Sequence, residues 1–253
     1  MHISKMGQGP DLVLLHGWSM HSAVWHDLAT RLAEKFTLHL VDLPGHGQSD
    51  WQQGDLDLDV LIKNMAETLP EQAFYMGWSL GGLISIAFAQ QYPKRVKKLI
   101  LMSATPRFVQ DENWSCAVEQ SVFEQFAENL DEDQSETLRR FLLLQARGAL
   151  QSRETIRQLS EQLASTTPPV AEALHAGLNL LITTDLRQQF QQLTCPAQLI
   201  LGDRDSLIPQ EIMSELKQLK PDLQSVLLAG AGHAPFISQA KICQQAIEQF
   251  IND

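Results

Sequence analysis

Residues 74–89 read FYMGWSLGGLISIAFA, and the fold of the whole chain turns on them. Aromatic and apolar side chains lead up to Gly77, as expected of a buried strand. From Ser79 onward the pattern is apolar and helical. Between the two lies Gly77-Trp78-Ser79-Leu80-Gly81, the form G-x-S-x-G. A chain that turns this sharply from strand to helix leaves no room for side chains at the flanking positions. It also holds the serine in a strained conformation with its hydroxyl raised above the sheet edge. The Leu80 N–H then sits at a helix N-terminus, where it can stabilise an oxyanion. The pentapeptide alone is a weak signal, and its strand–turn–helix context is what gives it weight.

On either side, strand and helix alternate. An edge strand is expected over His2–Lys5, and buried strands over Leu12–Leu15, Thr37–Asp42, Val96–Ser103, Pro196–Gly202 and Gln224–Leu228. Helices are expected over Val24–Phe36, Leu56–Leu69 (ended by Pro70), the stretch after Ser79 to Tyr92 (stopped by Pro93), Gln210–Leu219 and Ala240–Phe250. This is the pattern of an α/β fold with a doubly wound, mostly parallel sheet. From Pro106 to about Leu193 the strand pattern gives way to amphipathic helix, broken by Thr166-Thr167-Pro168-Pro169. So long a connection must be a structured insert. We expect a core formed by 1–105 and 194–253, and a helical cap formed by 106–193 over the C-terminal ends of the strands.

Composition removes several classes of function. The chain has 253 residues, enough for a large single core, and a formal net charge of −11, which argues against nucleic-acid binding. Cys116, Cys195 and Cys243 form neither a C-x-x-C nor an even set, so no disulfide framework or zinc site is indicated. The other histidines show no metal-ligand spacing, and no metal or cofactor is called for. The N-terminal stretch lacks the basic start and apolar run of a signal peptide, and nothing approaches the length of a membrane span. A cytoplasmic, monomeric enzyme is the expectation.

With Leu15-His16-Gly17-Trp18, Asp42-Leu43-Pro44-Gly45-His46-Gly47, Gly77-Trp78-Ser79-Leu80-Gly81-Gly82 and Gly232-His233-Ala234-Pro235-Phe236-Ile237-Ser238, the chain resembles the α/β-hydrolase superfamily over its whole length. A serine hydroxyl needs a base, and the base needs a carboxylate to fix its tautomer. The superfamily order is Ser, then acid, then His. The chain offers Ser79, then Asp205 or Asp203, then His233, each just after an expected strand and on one sheet edge, where ligands bind in such sheets. Asp205 fits the G-x-x-D-x-x-x-P pattern of the acid loop; Asp203 is the alternative. His16 is expected to hold its loop by hydrogen bonds, and the residues from Asp42 to Ser49 to act as scaffolding. A serine at the elbow, where dehalogenases and epoxide hydrolases of this fold carry aspartate, favours acyl transfer to an ester or thioester.

The cap stretch Arg140-Phe141-Leu142-Leu143-Leu144-Gln145 and Asp185-Leu186-Arg187 narrow the resemblance to the pimeloyl-[acyl-carrier protein] methyl ester esterases, the carboxylesterases of the biotin pathway. That resemblance implies an acyl-carrier protein bearing the substrate as partner. It implies oxyanion N–H groups from Trp18 and Leu80, and substrate contacts from Trp18, Ser79, Leu80, Phe141, Leu142, Leu143, Leu144, Gln145 and His233. It implies carrier docking at Arg140, Arg153 and Arg157. Glu136 departs from the pattern, standing where the family has a further arginine. Independently of the resemblance, Thr137–Leu159 carries Arg139, Arg140, Arg147, Arg153 and Arg157 against a single acid, Glu154. A basic island on an acidic chain can steer an acidic partner, although such arginines can also pair with neighbouring acids. A generalist short-chain esterase on free esters and a non-catalytic binding protein of the same fold remain as alternatives.

Overall fold

The computed structural model describes residues 1–253. The strands are β1 (His2–Met6), β2 (Asp11–Leu15), β3 (Thr37–Asp42), β4 (Ala73–Trp78), β5 (Val96–Met102), β6 (Ala197–Gly202) and β7 (Gln224–Leu228). They form one sheet in the order β1-β3-β2-β4-β5-β6-β7, with β1 antiparallel to β3 and every other pairing parallel. The five inner strands are largely buried on both faces, and their side chains alternate between two layers of core, while the edge strands β1 and β7 are partly exposed. Val13, Leu15, Tyr75, Leu99 and Leu101 enter the larger cluster of apolar side chains. Leu12, Leu14, Met76, Ile100 and Met102 enter the smaller one on the opposite face.

The helices are α1 (His26–Leu32), α2 (Leu58–Thr68), α3 (Leu80–Gln91), α4 (Gln120–Glu132), α5 (Gln134–Gln145), α6 (Ser152–Ala164), α7 (Ala171–Thr183), α8 (Arg187–Gln191), α9 (Ile212–Leu219), α10 (Pro235–Ser238) and α11 (Ala240–Asn252). None is long and apolar enough to cross a membrane. The larger cluster takes its helical side chains chiefly from α2, α3, α7 and α9, and the smaller one from α1 and α11. The helix expected over Val24–Phe36 is a 3-10 turn, Ser22–Trp25, followed by the shorter α1. The segment between β5 and β6 is not helical from its start. Bridges pair Val109 with Val118 and Asp111 with Trp114, closed by a hydrogen bond from Trp114 Nε1–H to the Arg107 carbonyl. At its far end α8 packs on α3 and α9, at the flank of the sheet, with Phe190 fully buried.

The cap helices meet the sheet at its C-terminal rim, through contacts spread over four strand-end loops. After β2, Trp18 Nε1–H donates to the Leu174 carbonyl (2.8 Å) and His21 Nε2 to that of Gln162 (2.8 Å). After β3, Gly45 O accepts from Val170 N–H. After β6, the Ser206 hydroxyl donates to Leu144 O (3.0 Å). After β7, Gly230 O accepts from Leu150 N–H.

Two histidines brace the rim from beneath. His16 Nδ1–H donates to Gly17 O (2.8 Å) and its Nε2 accepts from Leu43 N–H (2.9 Å), so the neutral ring ties the β2 and β3 loops together. His46 Nδ1–H donates to Pro44 O, and the two rings lie 5.4 Å apart. Burial, with each other's proximity, holds His16 down at about 3; burial holds His46 at about 4. Burial would raise the Asp42 carboxyl, but N–H donors from Gln48 and Ser22 outweigh it and keep the group below its usual value. The unfolded chain therefore binds more protons than the folded one once the pH falls below the ordinary histidine value of 6.5. Stability is present above that value and is lost as pH falls toward the folded-state values. Between pH 7 and 5, denaturant titrations should show the unfolding free energy falling by up to about 1.4 kcal/mol per pH unit for each histidine. His46→Asn should remove one histidine's share, and an unchanged slope in that variant would contradict the account.

Candidate active site

Ser79 occupies the tight turn between β4 and α3 at φ 53° and ψ −118°, a strained conformation for a residue with a side chain. The turn closes only because its flanking positions are glycines. A Cβ on Gly77 would lie 2.2 Å from the Gly81 carbonyl oxygen, and one on Gly81 would lie 2.3 Å from that of Leu15. Leu80 opens α3, so its N–H has no helical acceptor. The Trp18 N–H, in the loop after β2, likewise makes no intramolecular hydrogen bond. The two N–H groups expected to flank an oxyanion are thus both unspent.

His233 lies in the loop after β7, and its Nδ1 is 2.8 Å from Asp205 Oδ2 and 3.0 Å from Oδ1. Asp205 sits in the loop after β6, and its Oδ1 also accepts from the N–H groups of Leu207 and Ile208, both at 2.9 Å. The carboxylate is therefore locked in place before it meets the imidazole. The pairing puts the ring proton on Nδ1 and leaves the Nε2 lone pair free; Nε2 is buried and has no hydrogen-bond partner. Asp203, the alternative acid, is turned elsewhere: its Oδ1 accepts from Gly230 N–H (2.6 Å) and fixes the β7 loop. The main chain of His233 is held on both sides. Its N–H donates to Gln145 O (3.0 Å), and its carbonyl accepts from Trp78 Nε1–H (2.8 Å). Ser79 is 4% exposed and His233 1%, so both side chains are largely screened from bulk water.

The cap supplies one wall. The Trp18 ring meets Phe141 edge-on at 4.7 Å. A Cβ on Gly177 of α7 would lie 2.7 Å from Trp18 Cδ1 and 3.4 Å from Leu80 Cδ2, so Trp18 and Leu80 are seated in the gap this glycine leaves. The sequence reading missed both Trp78 and Gly177. A lone glycine inside an apolar helix was the available signal for the second.

The five-residue run Phe141–Gln145 does not face one pocket. An α-helix turns about 100° per residue, so consecutive side chains fan outward. Phe141 reaches Trp18, and Gln145 is buried with its carbonyl on His233. Leu142 joins the smaller core cluster with Leu159. Leu144 is half-buried, and Leu143 is 40% exposed. The arginines differ too. Arg139 and Arg140 both bind Glu136, whose carboxyl is pulled down to about 2 by hydrogen bonds from the two guanidinium groups. Arg157 pairs with Glu154 and Glu161, whereas Arg147 and Arg153 have no acidic partner. Arg187, in the Asp185-Leu186-Arg187 motif, binds Asp185 and Asp111 and lies over the Trp114 ring, staples that hold the cap's two ends together.

Sheet order and rim constellation together are those of an α/β hydrolase. A family model described as alpha/beta hydrolase fold matches residues 10–240. Solved structures agree on the fold: an esterase from Exiguobacterium antarcticum superposes with a TM-score of 0.89 at 18% identity, covering 100% of this chain and 95% of that one. A bromoperoxidase from Bacillus anthracis does so with a TM-score of 0.88 at 20% identity, covering 99% and 95%. In sequence, the chain is 43% identical over 251 residues to a protein of Xanthomonas axonopodis pv. citri (strain 306), covering 99% of this chain and 98% of that protein. It is also 43% identical over 251 residues to one of Stenotrophomonas maltophilia (strain K279a), covering 99% and 96%. Both relatives are named pimeloyl-[acyl-carrier protein] methyl ester esterase. The chain belongs to the α/β-hydrolase family and, within it, to the family of these esterases.

The two acid-loop aspartates make separable predictions. Asp205→Asn should lower kcat on an activated aryl ester by about 10⁴-fold, the effect of mis-setting the tautomer in a triad of this kind, while leaving the fold intact. Asp203→Asn should cost about 1 kcal/mol of stability and leave kcat within a few-fold. Steady-state kinetics alongside denaturant melts would distinguish them, and the reverse ranking of the two variants would refute the assignment.

Proposed function

We propose that the protein is a serine carboxylesterase that hydrolyses the methyl ester of pimeloyl-[acyl-carrier protein], freeing the pimeloyl carboxylate for biotin synthesis. The observation that carries the reading is the buried Asp205–His233 pair beside the strained Ser79 turn, in a chain 43% identical along nearly its whole length to esterases of that name.

Ser79 Oγ attacks the ester carbonyl carbon while His233 Nε2 takes its proton. Asp205, already hydrogen-bonded to Nδ1–H, stabilises the imidazolium that forms. Negative charge builds on the carbonyl oxygen, which the N–H groups of Trp18 and Leu80 receive. Their donors are oriented in advance and cost no reorganisation as the charge develops. Collapse of the tetrahedral intermediate expels methanol, protonated by His233, and leaves the acyl group on Ser79. Water then enters with His233 again as base, and the carboxylate departs. Exclusion of bulk water strengthens each of these charge interactions. The cap face rich in arginine receives the acyl-carrier protein. The reaction needs no cofactor, and we place it in the cytoplasm, with the enzyme acting as a monomer.

Ser79→Ala should fold normally and lose turnover of the carrier-linked methyl ester by about 10⁶-fold, as expected when the nucleophile of a cooperating triad is removed. A fluorophosphonate should label the parent chain at Ser79 and leave the variant unlabelled. Appreciable hydrolysis by the variant would end the covalent mechanism. Faster turnover of free short-chain esters than of the carrier-linked ester would point to a generalist esterase instead.

A further inference from the structure

Gln145 ends α5 with a side chain that the protein itself does not satisfy. The residue is 1% exposed, and both its amide atoms, Oε1 and Nε2, are buried without a protein donor or acceptor. Leaving a buried amide unpaired is costly to folding, so a group of this kind calls for a functional reason.

Its place in the fold supplies one. Residues three and four apart on an α-helix share a face. Phe141, one turn before Gln145, meets the Trp18 ring edge-on at 4.7 Å, and Leu138, one turn earlier still, enters the larger core cluster with both. Gln145 therefore continues the stripe of α5 that is turned to the oxyanion loop. On its other side it touches the base. Its carbonyl accepts from the His233 N–H at 3.0 Å, and a Cβ on Gly232 would lie 2.9 Å from that carbonyl oxygen. The amide is bracketed by the loops that carry Trp18 and His233. His233 Nε2 is likewise buried with no protein partner.

The chemistry of the ester narrows what this amide can serve. In the proposed reaction the carbonyl oxygen faces the N–H groups of Trp18 and Leu80, and the ester's other oxygen faces His233 Nε2. Around the reacting carbon there remain only a methyl group and a polymethylene chain, which have neither donor nor acceptor. The acyl-enzyme is different. Methanol has left, and water arrives with two O–H groups. His233 Nε2 accepts one of them. The second needs an acceptor in a place largely screened from bulk solvent, and an amide oxygen provides it.

We infer that Gln145 is a catalytic residue of the second half-reaction: its side-chain oxygen holds the second hydrogen of the attacking water and so directs a lone pair at the acyl carbon. The O–H bond facing His233 breaks, and its proton passes to Nε2. The water oxygen bonds to the acyl carbon, and the carbonyl electron pair moves onto the oxygen facing Trp18 and Leu80. Collapse breaks the bond to Ser79 Oγ, which recovers the proton from Nε2. The second hydrogen stays on the new carboxyl group, and the amide emerges unchanged. Its contribution is orientation of the nucleophile. This rests on the proposed acyl-enzyme, and not on the carrier-linked substrate.

Methanol provides the control. It attacks through its single O–H, which His233 takes, and has no second hydrogen for Gln145 to hold. The parent chain and Gln145→Met, of similar length but apolar, are given p-nitrophenyl butyrate in water with graded methanol. Stopped-flow absorbance reads the nitrophenolate burst, and product analysis reads the ratio of methyl butyrate to butyrate. Gln145→Met should keep a full burst, with a burst rate within about threefold of the parent, while attack by water slows about tenfold. The ratio of methyl ester to acid at a given methanol concentration should rise by that same tenfold. Stability in a denaturant melt should be no lower than the parent's, because the substitution removes an unpaired amide. Gln145→Leu replaces it if Gln145→Met proves unfolded. A product ratio equal to the parent's overturns the assignment, since damage to the fold or to His233 would slow both nucleophiles alike. A folded variant with no burst also overturns it, by placing Gln145 in acylation. If the parent chain gives neither a burst nor methyl butyrate, there is no acyl-enzyme, and the proposed mechanism falls together with this inference.

Discussion

The peptide of His233 is where the parts of the molecule meet. Its carbonyl is held by Trp78, the residue before Ser79, and its N–H is held by Gln145 at the end of α5. Its ring is held by Asp205 from the loop after β6. A loop residue gripped by the elbow, the cap and the acid loop has little freedom left, and that restriction is what turns a flexible strand connection into a preorganised base. Each main-chain restraint is a single hydrogen bond, worth about 1 kcal/mol to folding in isolation, and the bond to the Asp205 carboxylate is worth somewhat more, about 2 kcal/mol. Their common effect on one side chain is geometric, because together they fix where Nε2 stands relative to the serine turn.

The strain at Ser79 belongs to the same arrangement. Holding a non-glycine residue at positive φ costs about 1–3 kcal/mol, and the surrounding structure must over-determine it. Here it does so through the glycines on either side, which let backbone pack on backbone, and through β4 between β2 and β5. Ser19 and Ser103 share the positive φ of Ser79, and each follows a strand adjacent to β4. Strain is thus concentrated along one stretch of the rim, above the best-packed strands of the sheet.

How much of this was legible in the sequence follows from how local each cause is. The strands could be read because strands buried on both faces are written as unbroken apolar runs, as in Leu12–Leu15 and Leu199–Leu201. Ser79, Asp205 and His233 could be named because each stands beside glycines or a proline at a strand end. The bond from Trp78 to His233 joins residues 155 apart, and nothing in either neighbourhood announces it. The arginines of the cap were visible as a charged run, but not as three separate groups. Their separation depends on helix phase and on acids such as Glu136 and Glu161, whose pairings are made only once the helices have formed. The run Phe141–Gln145 was misleading in the same way, since adjacency in sequence is divergence on a helix.

Closure of the site and binding of a long tethered substrate make opposite demands, and Trp18 is where they are reconciled. Its backbone N–H, spent in no hydrogen bond, is the proposed oxyanion donor, while its indole donates to Leu174 and packs in the space left at Gly177, so a single residue joins the proposed oxyanion site to the cap. The cap is attached to the rim by hydrogen bonds on four separate loops and by apolar side chains of α7 that join the larger core cluster. The backbone N–H proposed to stabilise charge is thus carried by the loop after β2, while the side chain beside it is anchored to α7 of the cap.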